Sequence, residues 1–279
     1  MILFSVTISS GAMTEQISFL QRCERYFTET RQEPRSTLVF IRALQVFTLM
    51  KSLTLWSVAD VVLAGMKSSQ ATSLIGKVIF LPSVLTESHL HAGFAFITAG
   101  LVAILFIRPN YFTNFFLFWI ALNLYKLRFP VTNGSDYVLL AMSIYGIPLS
   151  FWNFGSASWQ VISVGLFNLS RLLAAIQVAL IYLISAWDKL LSPAWRNGDA
   201  FLYIRNIDTT FNPLLLPLTQ SEAMSFILSW VTILFEFLFV ILVWQKRTRL
   251  FILCVGIVFH LVIWFMLSLP DFALLMILC

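Results

Sequence analysis

Apolar residues in this chain gather into long runs separated by short polar punctuation, not into alternating or narrow-stripe patterns. A helix that crosses the hydrocarbon core of a bilayer needs about twenty mostly apolar residues. Runs near that length cover residues 38–56, 92–107, 111–127, 137–152, 172–187, 224–244 and 250–267, and a last run, 272–279, is too short to span alone. The expectation is an all-α, polytopic membrane bundle of about seven spans plus a short terminal segment. Arg108-Pro109-Asn110 reads as a tight turn, Phe129-Pro130 as a helix stop, and Asn133-Gly134-Ser135-Asp136 as a turn leading into an N-cap. Ser192-Pro193 and Asn197-Gly198 open a longer connection that ends near Glu222.

The beginning of the chain is patterned differently. Arg22, Arg25, Arg31 and Arg35 interleave with Glu15, Glu24, Glu29 and Glu33, while Phe19, Leu20, Cys23 and Phe27 recur at helical spacing. Residues 1–36 are expected to form an amphipathic surface segment, either lying on the membrane or standing as a solvated leader helix. The first twelve residues are apolar but lack a basic leader region, and Met13 is an alternative start. No internal repeat is visible, so 37–279 is read as one transmembrane domain.

Composition agrees with a lipid surround. An ordinary globular domain is about 45–50% apolar and about 25% charged. This chain is 59% apolar and 11% charged, which leaves too little polar surface to cover a body in water. The net charge of +5 could suggest a nucleic-acid partner. The Lys and Arg residues instead flank apolar runs, where they set topology and meet headgroups, so membrane lipid is the expected partner and nucleic acid is not. The positive-inside rule puts Arg108 and the Lys246, Arg247, Arg249 cluster on the cytoplasmic side, with Lys189 and the loop after it outside. Cys23, Cys254 and Cys279 form no CxxC pair and no metal spacing, and His89 and His91 have no third ligand in view, so no metal is expected.

Ionisable residues inside apolar runs carry the most information, because a charge in the hydrocarbon centre costs several kcal/mol and therefore faces the bundle interior. Arg42 and Lys51 lie in the first run, Arg171 opens the fifth, Glu236 is midway along the sixth and His260 midway along the seventh. Lys51 and Arg171 are close enough to helix ends to snorkel outward, and Arg42 with Glu236 is a candidate ion pair. Lys189 follows the fifth run in the stretch Ser185-Ala186-Trp187-Asp188-Lys189-Leu190-Leu191-Ser192-Pro193-Ala194-Trp195-Arg196-Asn197-Gly198. An amine flanked by tryptophan and leucine at a membrane boundary can lose hydration, and desolvation favours the neutral form, which can act as base or nucleophile. A simple ion pair with Asp188 is the other reading.

That stretch resembles the vitamin K-dependent γ-carboxylase-like family, also called HTTM, the horizontally transferred transmembrane domain. Its line is a small residue ending an apolar helix, then lysine-leucine, then tryptophan and glycine, read here as Ser185-Ala186, Lys189-Leu190, Trp195 and Gly198. Arg42, Asn133-Gly134-Ser135-Asp136, residues 172–177, Phe235-Glu236 and Phe259-His260 fall in the family's order around it, so the resemblance extends over 36–279. It implies that Lys189 is a catalytic base on a lipid quinol, reduced vitamin K or menaquinol, and that a peptide is modified as a result. It also implies that His260 and Trp195 shape or polarise the site, with Arg42, Gly198 and Glu236 binding substrate or holding structure. Carboxylating members carry a histidine just before the central helix, and 133–136 has none. Three readings stay open: a carboxylase-like enzyme (a lyase), a maturation or export factor for a small secreted peptide of the sporulation-delaying type, and a non-catalytic membrane protein. The implied location is the bacterial inner, cytoplasmic membrane.

Overall fold

Backbone N–H and C=O groups in lipid must be satisfied within their own segment, which makes a helix of each apolar run. A computed structural model describes residues 21, 35–59, 89–128, 133–153, 157–206, 212, 219 and 221–279, and it contains no strand among them. The helices are α1 Arg35–Ser57, α2 Leu90–Phe106, α3 Tyr111–Arg128, α4 Gly134–Gly146, α5 Ala157–Leu191, α6 Pro193–Arg196, α7 Ala200–Ile204, α8 Glu222–Leu242, α9 Arg249–Leu267 and α10 Pro270–Leu278. Among the described residues α1, α5, α8 and α9 are long and apolar enough to cross a bilayer, and α2 is apolar but shorter. This is an all-helical integral membrane protein. Most of the surface segment expected over 1–36 lies outside the described residues.

Two expected spans have different bounds. The fourth breaks after Gly146, and a 3₁₀ turn, Pro148–Asn153, follows. Pro148 has no N–H to give and its ring crowds the preceding turn, so the α-helix ends before it. The fifth starts much earlier than residue 172, because Asn168, Ser170 and Arg171 dilute the apolar run without breaking the helix. Lys189 therefore lies in the last turn of α5 rather than after it.

The chain divides into two compact units, residues 1–175 with 278–279, and residues 176–277. In the first, α1 packs on α2 and α3 on α4. Arg42 closes the end of α2: Nη1 donates to the Ile104 carbonyl at 2.9 Å and Nη2 to that of Ile107 at 2.7 Å. The last carbonyls of a helix lack the usual partner one turn on, the Ile104 carbonyl taking only the Ile107 N–H at 3.3 Å, and the dipole there favours a cation. Lys51 does not snorkel. It forms a buried ion pair with Asp136 at 2.7 Å and donates to Ser135 Oγ at 2.6 Å. Asn133 and Asp136 form the capping box that starts α4. Arg171 is also buried, its guanidinium 5.8 Å from the centre of the Phe167 ring.

In the second unit α8 is inverted relative to a helix of a water-soluble protein. Ser225, Ser229, Thr232 and Glu236 are buried, while Phe226, Ile227, Val231, Leu234, Leu238 and Ile241 are exposed. The spacing of four, three and four residues puts the polar side chains in one stripe. Ser229 and Thr232 donate back to the carbonyls of Ser225 and Leu228, which satisfies their hydroxyls inside the helix. Ser225 and Glu236 are the groups of the stripe whose side chains are bonded outside α8.

Candidate functional site

The last turns of α5 present Tyr182, Ser185 and Lys189 along one face, at spacings of three and four residues. Opposite them α8 presents Glu236. Lys189 Nζ donates to Ser185 Oγ at 2.6 Å, to Glu236 Oε1 at 2.9 Å and to Oε2 at 3.1 Å. Ser185 Oγ in turn donates to Glu236 Oε1 at 3.0 Å, which closes a ring of hydrogen bonds. An ammonium has three N–H donors and no acceptor, so this arrangement uses every donor that Lys189 has. Asp188, next in sequence, points off another face of the helix and is exposed, and the pair expected between it and Lys189 is replaced by Lys189–Glu236.

Trp195 also packs on Lys189, its ring centre 5.1 Å from Nζ. A cation over an indole face is attracted by the ring's quadrupole. The tryptophan is carried by α6, and α6 and α7 are fixed to α8 through Gly198. That residue has φ of 86°, a left-handed conformation that side chains strain. A Cβ there would also lie 2.6 Å from Phe226 Cα. The Gly198 carbonyl accepts from Ser225 Oγ, and Trp230 Nε1 donates to the Arg196 carbonyl at 3.2 Å. Gly198 therefore acts through packing: it lets the turn lie flat on α8 and aims Trp195 at Lys189.

His260, midway along α9, is buried with Nε2 2.7 Å from the Tyr182 hydroxyl. Its Nδ1 has no hydrogen-bond partner among the described residues. Tyr182 stacks on Phe239 with ring centres 3.9 Å apart, which holds its hydroxyl in place. Between these groups is a cavity of about 380 Å³, bordered by Lys189, Glu236, Trp195, Tyr182 and His260, by the hydroxyl-bearing Ser185 and Thr232, and otherwise by apolar side chains such as Leu228 and Met266. Its size lies within the range of about 300–1,000 Å³ that small-molecule sites occupy, and few polar groups on an apolar wall is their usual make-up.

Four of the residues singled out in the sequence, Lys189, Trp195, Glu236 and His260, thus border one cavity, with Gly198 supporting it. Arg42 belongs to the first unit, where it closes α2, and Glu236 to the second, where it bonds Lys189. Sequence reasoning named Ser185 only as the small residue ending the apolar helix, and did not single out Tyr182. Their positions four and seven residues before Lys189 were the available signal, since both lie on the lysine's own helix face.

Residues 150–279 match the family model described as HTTM domain. The match is narrower than the resemblance over 36–279 and contains every residue of the cavity. No curated protein and no solved structure matches the chain.

Proposed function

We propose that this membrane protein, carrying an HTTM domain over residues 150–279, is an enzyme of the vitamin K-dependent γ-carboxylase type in which Lys189 takes a proton from a reduced quinone held in the cavity. The observation that carries the reading is the position of Lys189: its amine borders an apolar cavity among membrane helices, in contact with a carboxylate and with an indole face. A naphthoquinol of the vitamin K or menaquinol class suits such a space, because its flat rings match apolar walls and its hydroxyls need only the few polar groups at the edge. When bound and deprotonated, it supplies the reaction with dioxygen from which a base strong enough to act on a peptide side chain arises.

The protein's own part is to bind, orient and move a proton. Leu228 and Met266 exclude water from the walls, Trp195 covers the amine, and His260, held by Tyr182, borders the same cavity. Lys189 is at the meeting point of those groups and is the acceptor for the hydroxyl proton. Protein purified into lipid discs and supplied with reduced menaquinone and oxygen should form quinone epoxide, and a glutamate-containing peptide added with carbon dioxide should gain a carboxyl group by mass. Lys189→Ala should lower epoxide formation by at least about a hundredfold. Equal epoxide from that variant would rule out a base at this position.

A further inference from the structure

A base needs a lone pair, and Lys189 as it stands has none to offer: its three N–H bonds go to Ser185 Oγ and to both oxygens of Glu236. Some group must take a proton from Lys189 before Lys189 can take one from a ligand. We propose that Glu236 is that acceptor, with Ser185 keeping the two aligned, an assignment that rests on the base role proposed for Lys189.

Geometry singles out Glu236. Its Oε1 is 2.9 Å from Nζ, already in hydrogen-bond contact. Lys189 and Ser185 are the partners its carboxylate has among the described residues, so no third group competes for it. The other titratable side chains on the cavity wall, Tyr182 and His260, are bonded to each other at 2.7 Å. Trp195 offers Lys189 only its ring face, and Asp188 is exposed on a different side of α5.

The transfer balances. An N–H bond of Lys189 breaks as an O–H bond forms on Glu236, leaving an amine and a carboxylic acid. The amine's lone pair then takes the proton of a bound hydroxyl, which leaves an oxyanion facing the restored ammonium while Glu236 keeps the first proton. At every stage the cavity holds either no charge or one cation with one anion. That matters because an unpaired charge in an apolar interior is strongly unfavourable. Electron transfer is not involved. The ligand class that follows is an apolar body bearing an acidic hydroxyl, since only such a group can replace the Glu236 carboxylate as the ammonium's counter-ion.

The test uses 4-nitro-1-naphthol, a naphthol that colours when it loses its proton, added to the full chain in lipid discs at a pH where the free probe is protonated. A lightly buffered indicator dye reports protons released to the medium. In the wild type, bound probe should colour without releasing protons, because Glu236 stores them. Lys189→Met should stay colourless. Glu236→Gln, which keeps size and hydrogen bonding, should colour about a hundredfold more slowly and release a proton for each probe coloured, while Glu236→Asp recovers storage in part. A merely structural glutamate would be replaced by glutamine with no change in the proton count. Wild-type colour and proton count in Glu236→Gln would overturn the role given to Glu236 and leave Lys189 as base; a colourless wild type, or a coloured Lys189→Met, would overturn both.

Discussion

Two lysines in this chain have the same local chemistry and different surroundings. Lys51 is joined to Ser135 at 2.6 Å and Asp136 at 2.7 Å, and Lys189 to Ser185 at 2.6 Å and Glu236 at 2.9 Å. The side chains of the first pair are 2% and 1% exposed, against 18% and 6% for the second. Lys51 is walled in and can only lock helices together, whereas Lys189 borders a space that another molecule can enter. Lys51→Met removes the cation that bonds Ser135 and Asp136 in a buried site and should cost about 3–5 kcal/mol of stability, read as a fall in thermal midpoint in detergent. Lys189→Met should lower that midpoint less, because its partner retains the Ser185 hydroxyl and access to the cavity. Gly198→Ala should cost at least about 1–3 kcal/mol, since it forces a side chain into a left-handed conformation, and the clash with Phe226 adds to it. Its signature would be a changed Trp195 fluorescence as well as lower stability.

At the level of elements, the order of helices was legible and their ends were not. Each apolar run became a helix, but Pro148 ended α4 early and α5 grew to 35 residues. At a rise of 1.5 Å per residue α5 is about 52 Å long, well beyond the roughly 30 Å of a hydrocarbon core. A hydropathy average marks where a helix is apolar, not where its backbone hydrogen bonds stop. The capping box at Asn133 was readable because it is local: residue types three apart define it. Asn133→Ala should destabilise α4 by about 1 kcal/mol, measured as a lower melting midpoint. The polar stripe of α8 was equally available in the spacing of Ser225, Ser229, Thr232 and Glu236. It marks the face turned away from lipid before any partner is known.

For the whole molecule, the family match over 150–279 and the cavity coincide: α5 to α10 carry the candidate chemistry. If α8 crosses the membrane with its basic end inside, positions at its two ends are on opposite sides. In a variant without native cysteines, a cysteine at exposed Asn197 should react with an impermeant maleimide on intact cells. One at exposed Gln245 should react only after the membrane is opened. The reverse pattern would invert the orientation drawn from Lys246, Arg247 and Arg249.

Hydropathy, charge placement and residue spacing determined, from the sequence alone, that the chain is helical, lives in lipid, and keeps a few ionisable side chains where they are costly. These properties depend on neighbours within a turn or two, and a linear pattern records them. Tertiary structure alone decided the partners. Lys189 and Glu236 are 47 positions apart, and Lys51 and Ser135 are 84 apart. Coulomb attraction acts on distance in space, which periodicity does not encode. That is why the sequence permitted Arg42 with Glu236 or Lys189 with Asp188, and why packing gave α2 its arginine and Lys189 its carboxylate.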